Sequence, residues 1–399
     1  MKYMLIAGEA SGDLHASRLI KELRERDSEA EFIFIGGDLM AKAASTEPFL
    51  HYRELNVMGF SEVIRKLPAI FSTLREAKRK LVEFRPDALI LVDYPSFNLR
   101  MAKFAHKKGI RTDWYISPKV WAWKAWRVKK IKKYVSFMYS ILPFETDFYE
   151  GYGYDRIEYV GNPSVEETDY SLSHLPSQQH FLERNGLGAD KPIIALLPGS
   201  RKGEIRCNLP VMMEAAKHFK DFRIVVGAAP SIPEKFYREV ARDPGLTLVF
   251  GATTALLKYS VASLVTSGTA TLETALIGTP QVVCYRSNGS KLTYKIMRKL
   301  VKVDYVALPN LIVNSRIIPE MLLHECTPAN LIRELTPLLQ TSPIRDRQLQ
   351  GYRQMRKKLG SGIAPANTAR LIVEQLQASR QSQPSDIEEH AQDGGRGEE

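Results

Sequence analysis

The sequence predicts an α/β protein made of two doubly wound, parallel-sheet domains that face each other across a cleft. Short apolar segments alternate with small-residue turns and amphipathic stretches, which favours parallel strands with helices on both faces of each sheet. Most of these segments are continuously apolar, as strands buried on both sides are. The pattern runs to about residue 165 and restarts near residue 191, and 399 residues are enough for two or three domains.

In the first half of the chain, each predicted strand ends in a turn of small or polar residues. The predicted strands are Tyr3–Ala7, Phe32–Ile35, Ala88–Val92, Trp114–Ile116, Met138–Leu142 and Ile157–Val160. An amphipathic stretch predicts the first helix over about Asp13–Arg26. We therefore expect residues 1–165 to form an N-terminal domain.

The second half repeats the pattern after a polar connection, residues 166–190, which has weak apolar periodicity. The strands predicted beyond it are Ile193–Leu197, Arg223–Val226, Leu246–Phe250, Ser263–Val265 and Val282–Tyr285. We expect residues 191–340 to form the C-terminal domain. Residues 341–377 are expected to form C-terminal helices that pack back on the N-terminal domain or are exchanged in a dimer. The polar, acidic residues 378–399 are predicted to be disordered.

Composition and charge exclude several classes of protein. The apolar (44%) and charged (25%) fractions are those of a globular chain, and no apolar stretch predicts a membrane span. The three cysteines lack CxxC pairing and the eight histidines lack metal-binding spacing, so we expect neither a disulfide framework nor a metal site. The net charge of +11 favours an anionic partner, namely a nucleic acid, a phosphorylated substrate or an anionic membrane surface.

The first candidate site is the turn AGEASGD, which follows the first predicted strand. Ligands of doubly wound sheets bind beyond the carboxyl ends of the strands, so this turn can cradle a substrate at a helix N-terminus. It can equally be an ordinary turn in which Ser11 or Asp13 caps the following helix. The candidate cradle residues are Glu9, Ser11, Gly12, Asp13 and His15.

A second candidate is Asp93, at the carboxyl end of the apolar strand Ala88–Val92. A carboxylate shielded from water at that position can act as the general base on a substrate hydroxyl. The alternative is an aspartate that only shapes the turn before Pro95.

Two turns of the second domain favour phosphate binding. In Pro198–Glu204 a strand opens into a Gly-Ser turn, where the backbone amides and the Arg201 guanidinium suit a diphosphate. In Ser267–Glu273 a strand leads through Gly268 into a helix, whose N-terminal amides can hold a phosphate while Glu273 accepts hydrogen bonds from ribose hydroxyls. A basic surface loop and a plain helix cap are the alternatives.

The segment Lys119–Lys133 holds seven basic residues, no acidic residue and three of the four tryptophans of the chain. Exposed tryptophan beside lysine is typical of proteins that lie on lipid headgroups, and also of nucleic-acid patches. The third interpretation is that the rings are core and the charges form a solvated face. The candidate membrane-facing residues are Trp121, Trp123, Trp126, Lys129, Lys130, Lys132 and Lys133.

Taken together, these motifs resemble the lipid-A-disaccharide synthase family, over about Lys2 to Gln377. The segments that carry the resemblance are AGEASGD (7–13), ELNVMGFSEVI (54–64), VDYPSFN (92–98), YISPKVWAWKAWRVKKI (115–131), LPFE (142–145), VGNP (160–163), LLPGSR (196–201), SGTATLE (267–273) and LPN (308–310). SPKVWAW and AGEASGD are specific to the family, whereas SGTATLE also occurs in related nucleotide-sugar enzymes. The sequence has Ser96 where the family often has Asp, and Asn162 where a His is common.

The resemblance implies a GT-B glycosyltransferase that needs no metal or other cofactor. The implied reaction joins UDP-2,3-diacylglucosamine to 2,3-diacylglucosamine 1-phosphate with inversion, giving a β-1,6-linked disaccharide and UDP. Asp93 matches the essential carboxylate of the family. The residues placed near UDP or its phosphates are Ser200, Arg201, Ser267, Gly268, Thr269, Glu273 and Asn310.

The resemblance also implies an acceptor-binding, lipid-facing N-terminal domain and a UDP-sugar-binding C-terminal domain. It further implies a peripheral enzyme on the cytoplasmic face of the inner membrane, a possible homodimer and no nucleic-acid partner. Within the N-terminal domain, the apolar and basic stretch Phe60–Lys80 is a candidate wall for the acyl chains, and a plain amphipathic helix pair is the alternative. The alternative functions are a nucleotide-sugar 2-epimerase of the same fold and a nucleic-acid-binding protein that uses Lys119–Lys133.

Overall fold

The computed structural model describes residues 1–55, 67–286 and 304–381. Seven parallel strands form the first sheet, in the order β3-β2-β1-β4-β5-β6-β7. Their bounds are Lys2–Ala7 (β1), Glu31–Gly36 (β2), Leu50–His51 (β3), Ala88–Val92 (β4), Arg111–Tyr115 (β5), Phe137–Ser140 (β6) and Ile157–Tyr159 (β7). The strand order reverses between β1 and β4, so the loops that follow these two strands flank the switch point of the sheet.

The second sheet has six parallel strands, in the order β10-β9-β8-β11-β12-β13. They are Ile193–Leu197 (β8), Arg223–Ala228 (β9), Leu248–Phe250 (β10), Ser260–Thr266 (β11), Gln281–Tyr285 (β12) and Glu320–Leu322 (β13). The order reverses between β8 and β11. The predicted pair of doubly wound parallel sheets is therefore confirmed.

Helices cover the faces of both sheets. In the first half they are Ala10–Arg26 (α1), Asp38–Ala44 (α2), Tyr52–Leu55 (α3), Leu67–Phe84 (α4), Pro95–Lys107 (α5), Val120–Trp123 (α6), Val128–Tyr134 (α7) and Phe144–Gly151 (α8), with a 3₁₀ turn at Ala125–Arg127. The later helices are Pro163–Ser173 (α9), Gln178–Arg184 (α10), Lys202–Ala216 (α11), Glu234–Ala241 (α12), Thr253–Lys258 (α13), Thr269–Ile277 (α14), Leu308–Val313 (α15), Pro328–Leu335 (α16), Pro343–Leu359 (α17) and Ala364–Gln381 (α18), with a 3₁₀ turn at Thr336–Leu338. In the described parts of the chain, no helix has both the length and the apolar character that a membrane crossing needs.

The central strands are buried along their whole length, which accounts for their continuous apolar sequence. All five residues of Ala88–Val92 and of Ile193–Leu197 are buried. Two strands were not predicted, namely the edge strands Leu50–His51 and Glu320–Leu322. They are only two and three residues long, too short to show a period in the sequence.

The last helix, α18, packs against the first domain. Its apolar residues share a core cluster with Tyr3, Leu19 and Ile20. The Asn367 side-chain amide donates a hydrogen bond of 2.9 Å to the Val160 carbonyl. The helix continues to Gln381, which is four residues into the segment predicted to be disordered; the rest of that segment lies outside the described residues.

The connection contains more helix than its sequence suggested, whereas a helical alternative was already open for the predicted acyl-chain wall. Residues 166–190 carry most of α9 and all of α10. Of Phe60–Lys80, the residues up to 66 lie outside the described part of the chain, and the remainder belongs to the single helix α4.

Candidate active site

The two switch points bring together the candidate loops that the sequence singled out. In the first sheet, the loops after β1 and β4 are neighbours because these strands pair directly, Ala7 opposite Val92. In the second sheet, β8 and β11 pair in the same way, Leu197 opposite Val265. The AGEASGD turn therefore lies beside the Asp93 loop, and the LLPGSR turn lies beside the SGTATLE turn.

The Asp93 loop has an unusual backbone. Asp93 and Tyr94 are both left-handed, with φ of 42° and 44°. Two consecutive non-glycine residues in this region are costly and are held only by surrounding contacts. The buried Asn98 supplies one contact, since its side-chain amide donates hydrogen bonds to the carbonyls of Asp93 (2.7 Å) and Val92 (3.3 Å).

Gly8 supplies a second contact for this loop. A Cβ atom on Gly8 would lie 2.4 Å from Cγ of the Tyr94 ring, so only glycine lets the ring pack on the first turn. The AGEASGD and VDYPSFN motifs thus fit each other in space. Together they hold the backbone of the turn that carries Asp93.

The carboxylate of Asp93 has the electrostatic surroundings of a general base. Its pKa is raised, chiefly because burial penalises the charged form, and the negative charge of Glu9 raises it further. The positive charge of Lys119 lowers the pKa and so opposes both effects. A carboxyl group with a raised pKa is better matched to accepting a proton near neutral pH than an ordinary aspartate.

The loop that carries Lys119 is held by a buried carboxylate. Glu145 accepts hydrogen bonds from the hydroxyls of Ser117 and Ser140 and from the Trp121 indole nitrogen, at 2.5 to 2.9 Å. Burial raises the pKa of Glu145, while its three donors favour the ionised form. The LPFE motif, which ends in Glu145, thereby positions the SPKVW motif beside Asp93.

In the second domain, a cavity of about 350 Å³ opens at the switch point. Six of the seven residues predicted to lie near UDP line it: Ser200, Arg201, Ser267, Gly268, Thr269 and Glu273. A volume of this size is within the range of small-molecule sites. Burial raises the pKa of Glu273, and the charge of Glu167 on α9 adds to the increase.

The two sides of this cavity differ in the donors that they offer. The amides of Ser200 and Arg201 donate to the Glu204 carboxylate, at 3.0 and 3.3 Å. These amides were predicted to bind a diphosphate, but in this structure they are already occupied. The Arg201 side chain contacts Glu204 at 3.0 Å and is 77% exposed, so it can still turn toward a ligand. The backbone turn at Pro198–Glu204 depends on Gly199, because its φ is 114° and a Cβ atom there would lie 2.6 Å from Glu204.

On the other side, α14 begins at Thr269 after Gly268, whose φ is 155°. Its N-cap residue, Gly268, has no side chain with which to cap this helix N-terminus. The amides at its start therefore face the cavity with the positive end of the helix dipole. This geometry agrees with the predicted phosphate cradle.

Asn310 is placed differently from the prediction. It is fully buried and does not line the donor cavity, which is the cavity of about 350 Å³ in the second domain, predicted to bind the UDP-sugar donor. Its amide nitrogen donates to the Ile318 carbonyl and to Glu320, and its oxygen accepts from the amides of Ile317 and Ile318, all within 2.9 Å. With these four bonds the side chain holds the backbone that leads into β13, so its role in this structure is to position the chain.

Of the predicted cradle residues, Gly12 and Asp13 are buried, whereas Glu9 and Ser11 are exposed. The Asp13 carboxylate is buried and accepts hydrogen bonds from the amides of Gly37, Leu39 and Met40, so it caps α2 and not its own helix. Gly12 packs on Ala7. Glu9 and Ser11 are exposed at the rim and hydrogen-bonded to each other, at 3.1 Å.

His15 lies deeper in the same helix. Burial lowers its pKa to about 4, and its Nδ1 is buried with no hydrogen-bond partner among the described residues. The imidazole is therefore neutral at neutral pH. It stays a candidate for a polar contact with substrate.

The basic segment Lys119–Lys133 contains both buried and exposed members of the predicted membrane-facing set. Trp121 is only 8% exposed, and its ring packs edge-on against Phe144, so its prediction as a membrane-facing residue is wrong. Trp126 is 59% exposed, between the cations of Arg127 and Lys130. On α7 the four predicted lysines, Lys129, Lys130, Lys132 and Lys133, are exposed, while Val128 and Ile131 are buried. The side chain of Trp123 lies outside the described part of the chain.

Asn98 and Glu145 were not predicted to support the site. Both belong to motifs that the sequence analysis quoted, VDYPSFN and LPFE, and an amide or a carboxylate inside an apolar segment was the available signal. Among the residues that the structure describes, no three or more His, Cys, Asp or Glu side chains group as metal ligands.

The chain is similar to known proteins along nearly its whole length. The family model for Lipid-A-disaccharide synthetase (LpxB) matches residues 3–372. A lipid-A-disaccharide synthase from Myxococcus xanthus is 40% identical over 385 residues, which cover 95% of this chain and 98% of the relative. One from Acidobacterium capsulatum is 37% identical over 392 residues, covering 94% and 96%.

Among solved structures, UDP-GlcNAc 2-epimerase from Neisseria meningitidis bound to UDP-GlcNAc matches with a TM-score of 0.60. Its sequence is 14% identical, and the match covers 95% of this chain and 100% of that one. An identity this low shows a shared fold and nothing about the reaction, whereas the family match and the 37–40% identical relatives bear on the family itself. The chain belongs to the lipid-A-disaccharide synthase family and has the GT-B fold that its motifs implied.

Proposed function

We propose that this chain joins UDP-2,3-diacylglucosamine to 2,3-diacylglucosamine 1-phosphate, giving the β-1,6-linked lipid A disaccharide 1-phosphate and UDP. The observation that carries the proposal is the pair of switch points. One holds a carboxylate of raised pKa, and the other holds a cavity with a free helix N-terminus and an arginine. Inverting transfer needs a base on the acceptor hydroxyl and stabilisation of a leaving diphosphate, and these two places supply them.

In the proposed reaction, Asp93 takes the proton of the acceptor hydroxyl as its oxygen attacks the anomeric carbon of the donor sugar. The bond from that carbon to the UDP oxygen breaks, and UDP leaves with the electron pair. The start of α14 and Arg201 stabilise the negative charge on the diphosphate. Attack from the face opposite to UDP inverts the configuration.

Contacts between the domains support a shared site. The core cluster that contains Trp121, from the loop beside Asp93, also contains Leu272 and Ala275 of α14. The base and the donor cavity are therefore linked through one packed unit.

The test is a reaction of the purified protein with both substrates, with UDP measured by a coupled assay and the disaccharide by mass spectrometry. We expect UDP and disaccharide in equal amounts, with and without a chelator, since the proposed reaction uses no metal. A 2-epimerase would instead isomerise the UDP-sugar without an acceptor and without net loss of the nucleotide-sugar. That outcome would refute the proposal.

We also propose that the enzyme acts as a peripheral protein on the inner face of the inner membrane, where Trp126 and the four exposed lysines of α7 contact anionic lipid. Each lysine near an anionic surface contributes about 1 kcal/mol, so four are enough for reversible attachment. Changing the four to glutamine should reduce co-sedimentation with anionic vesicles and its salt dependence. Equal vesicle binding by wild type and variant would contradict this docking mode. Binding of the wild type to DNA or RNA would favour the nucleic-acid alternative.

A further inference from the structure

A second, smaller cavity opens directly beside the candidate base. Its described lining residues are Asp93, Pro95, Lys119, Val120, Lys124 and Arg127. Three of these six carry a positive charge, and Asp93 carries the negative charge. The cavity lies in the N-terminal domain and shares no lining residue with the donor cavity.

We propose that Lys119, Lys124 and Arg127 bind the phosphate group of the acceptor, and so hold the acceptor hydroxyl at Asp93. This inference rests on the proposed function, because that reaction requires a phosphorylated sugar acceptor. A phosphate monoester carries close to two negative charges at neutral pH and three strong acceptor oxygens. Three cations around one cavity match this chemistry.

Two of the cations, Lys124 and Arg127, repel each other. Partial burial lowers the pKa of Lys124, and the nearby charge of Arg127 lowers it further. The Arg127 guanidinium lies 5.6 Å from the centre of the Trp126 ring, an uncharged partner that leaves its positive charge in place. An anion in the cavity would relieve the repulsion.

The backbone under these side chains is held before any ligand arrives. Glu145 binds both Ser117 and Trp121, the residues that flank the Lys119 turn. Val120 is 2% exposed and packs in the core of the first domain. Because this backbone is already ordered, ligand binding costs the entropy of the cationic side chains but not that of the backbone.

The segment Lys119–Lys133 therefore carries two separate sets of positive charge. Lys119, Lys124 and Arg127 line the cavity at Asp93, whereas the four lysines of α7 are exposed and do not line it. The first set fits a phosphate attached to the reacting sugar. The second set fits phosphates of the surrounding lipid.

The test compares wild type with Lys124→Gln/Arg127→Gln. The matched control is Lys107→Gln/Lys108→Gln, which removes two exposed charges from the same domain. With acceptor dispersed in detergent, the cavity variant should raise the KM for acceptor about ten- to hundred-fold, as expected for lost charge-assisted hydrogen bonds. Its KM for UDP-sugar and its thermal melt should match those of the control. An unchanged KM for acceptor in the cavity variant would overturn the proposal.

Direct binding separates this inference from the proposed function. Titration of the wild type with glucosamine 1-phosphate should give heat that glucosamine does not give, and the cavity variant should lose it while the control keeps it. If the wild type makes no disaccharide yet binds glucosamine 1-phosphate through these residues, the function is wrong and the site stands. If the cavity variant loses only vesicle binding, the cations contact lipid headgroups and the inference is wrong.

Discussion

Replacing Asp93 with asparagine tests the general base without changing the shape of the side chain. The variant cannot take the proton of the acceptor hydroxyl. Loss of a positioned general base typically costs about 10²–10⁴-fold in rate, equivalent to about 3–5 kcal/mol of transition-state stabilisation. The backbone of the Asp93 turn should persist, because the Asn98 amide contacts the carbonyls of residues 92 and 93 and not the carboxylate.

The same change should make the folded protein more stable at neutral pH. Burial raises the pKa of Asp93 in the folded protein, whereas an aspartate in the unfolded chain has a pKa of about 3.9. The folded state therefore binds the proton more tightly, and stability is lost as the pH rises from the unfolded pKa through the folded pKa. Asparagine carries no charge and avoids this loss, so its advantage should be present at pH 7 and disappear below the unfolded pKa.

The two effects are measured on one sample, by UDP release at saturating substrates and by thermal unfolding at several pH values. Asp155→Asn is the control, because Asp155 is exposed and precedes β7. It therefore lies at the amino ends of the parallel strands, whereas Asp93 lies at their carboxyl ends. The control should change neither rate nor stability beyond about 0.5 kcal/mol. An Asp93→Asn variant that keeps a near-normal rate, or that melts earlier than wild type at pH 7, would refute the reasoning.

Three other changes test the surroundings of the site. Glu9→Gln removes a charge that raises the pKa of Asp93, so the acid limb of the kcat/KM profile should move to lower pH; a limb that stays in place would mean that another group titrates. Asn98→Ala removes two buried hydrogen bonds and should cost about 1–3 kcal/mol in denaturant unfolding together with a lower kcat, whereas a purely structural role would leave kcat unchanged. Arg201→Ala should weaken UDP binding by calorimetry about ten- to hundred-fold without affecting acceptor KM, and equal loss for both substrates would place the diphosphate elsewhere.

Strand ends could be located from the sequence because their signal is local. An apolar run such as Ala88–Val92 stops at the first polar residue, and the rule for doubly wound sheets then assigns that residue to the ligand edge. Asp93 was found in this way, and Arg201 and Gly268 lie in the turns that follow two further apolar runs. The family resemblance added the chemical roles, which strand positions alone left open between catalysis and turn formation.

Side chains whose partners lie far along the chain were the ones that the sequence misplaced. Asp13 was expected at the start of its own helix, but its carboxylate binds amides at Gly37–Met40. Trp121 was grouped with exposed tryptophans, although its indole nitrogen meets Glu145 in the core. A buried polar group must find a hydrogen-bond partner, and the sequence does not show which one the fold brings near.

The composition of the basic segment Lys119–Lys133 does not show which of its cations lie together in the folded chain. On α7, Val128 and Ile131 are buried three residues apart, and the four lysines of the helix are exposed. Lys119 and Lys124 have no such period, because they lie in a loop and a short turn, and only the fold brings them to the Asp93 cavity. We therefore infer that the positive charges of this one segment serve two ligands. Because the two sets are different residues, we expect substitutions to remove acceptor affinity and vesicle binding independently, and a single undivided lipid-binding patch would not allow that independence.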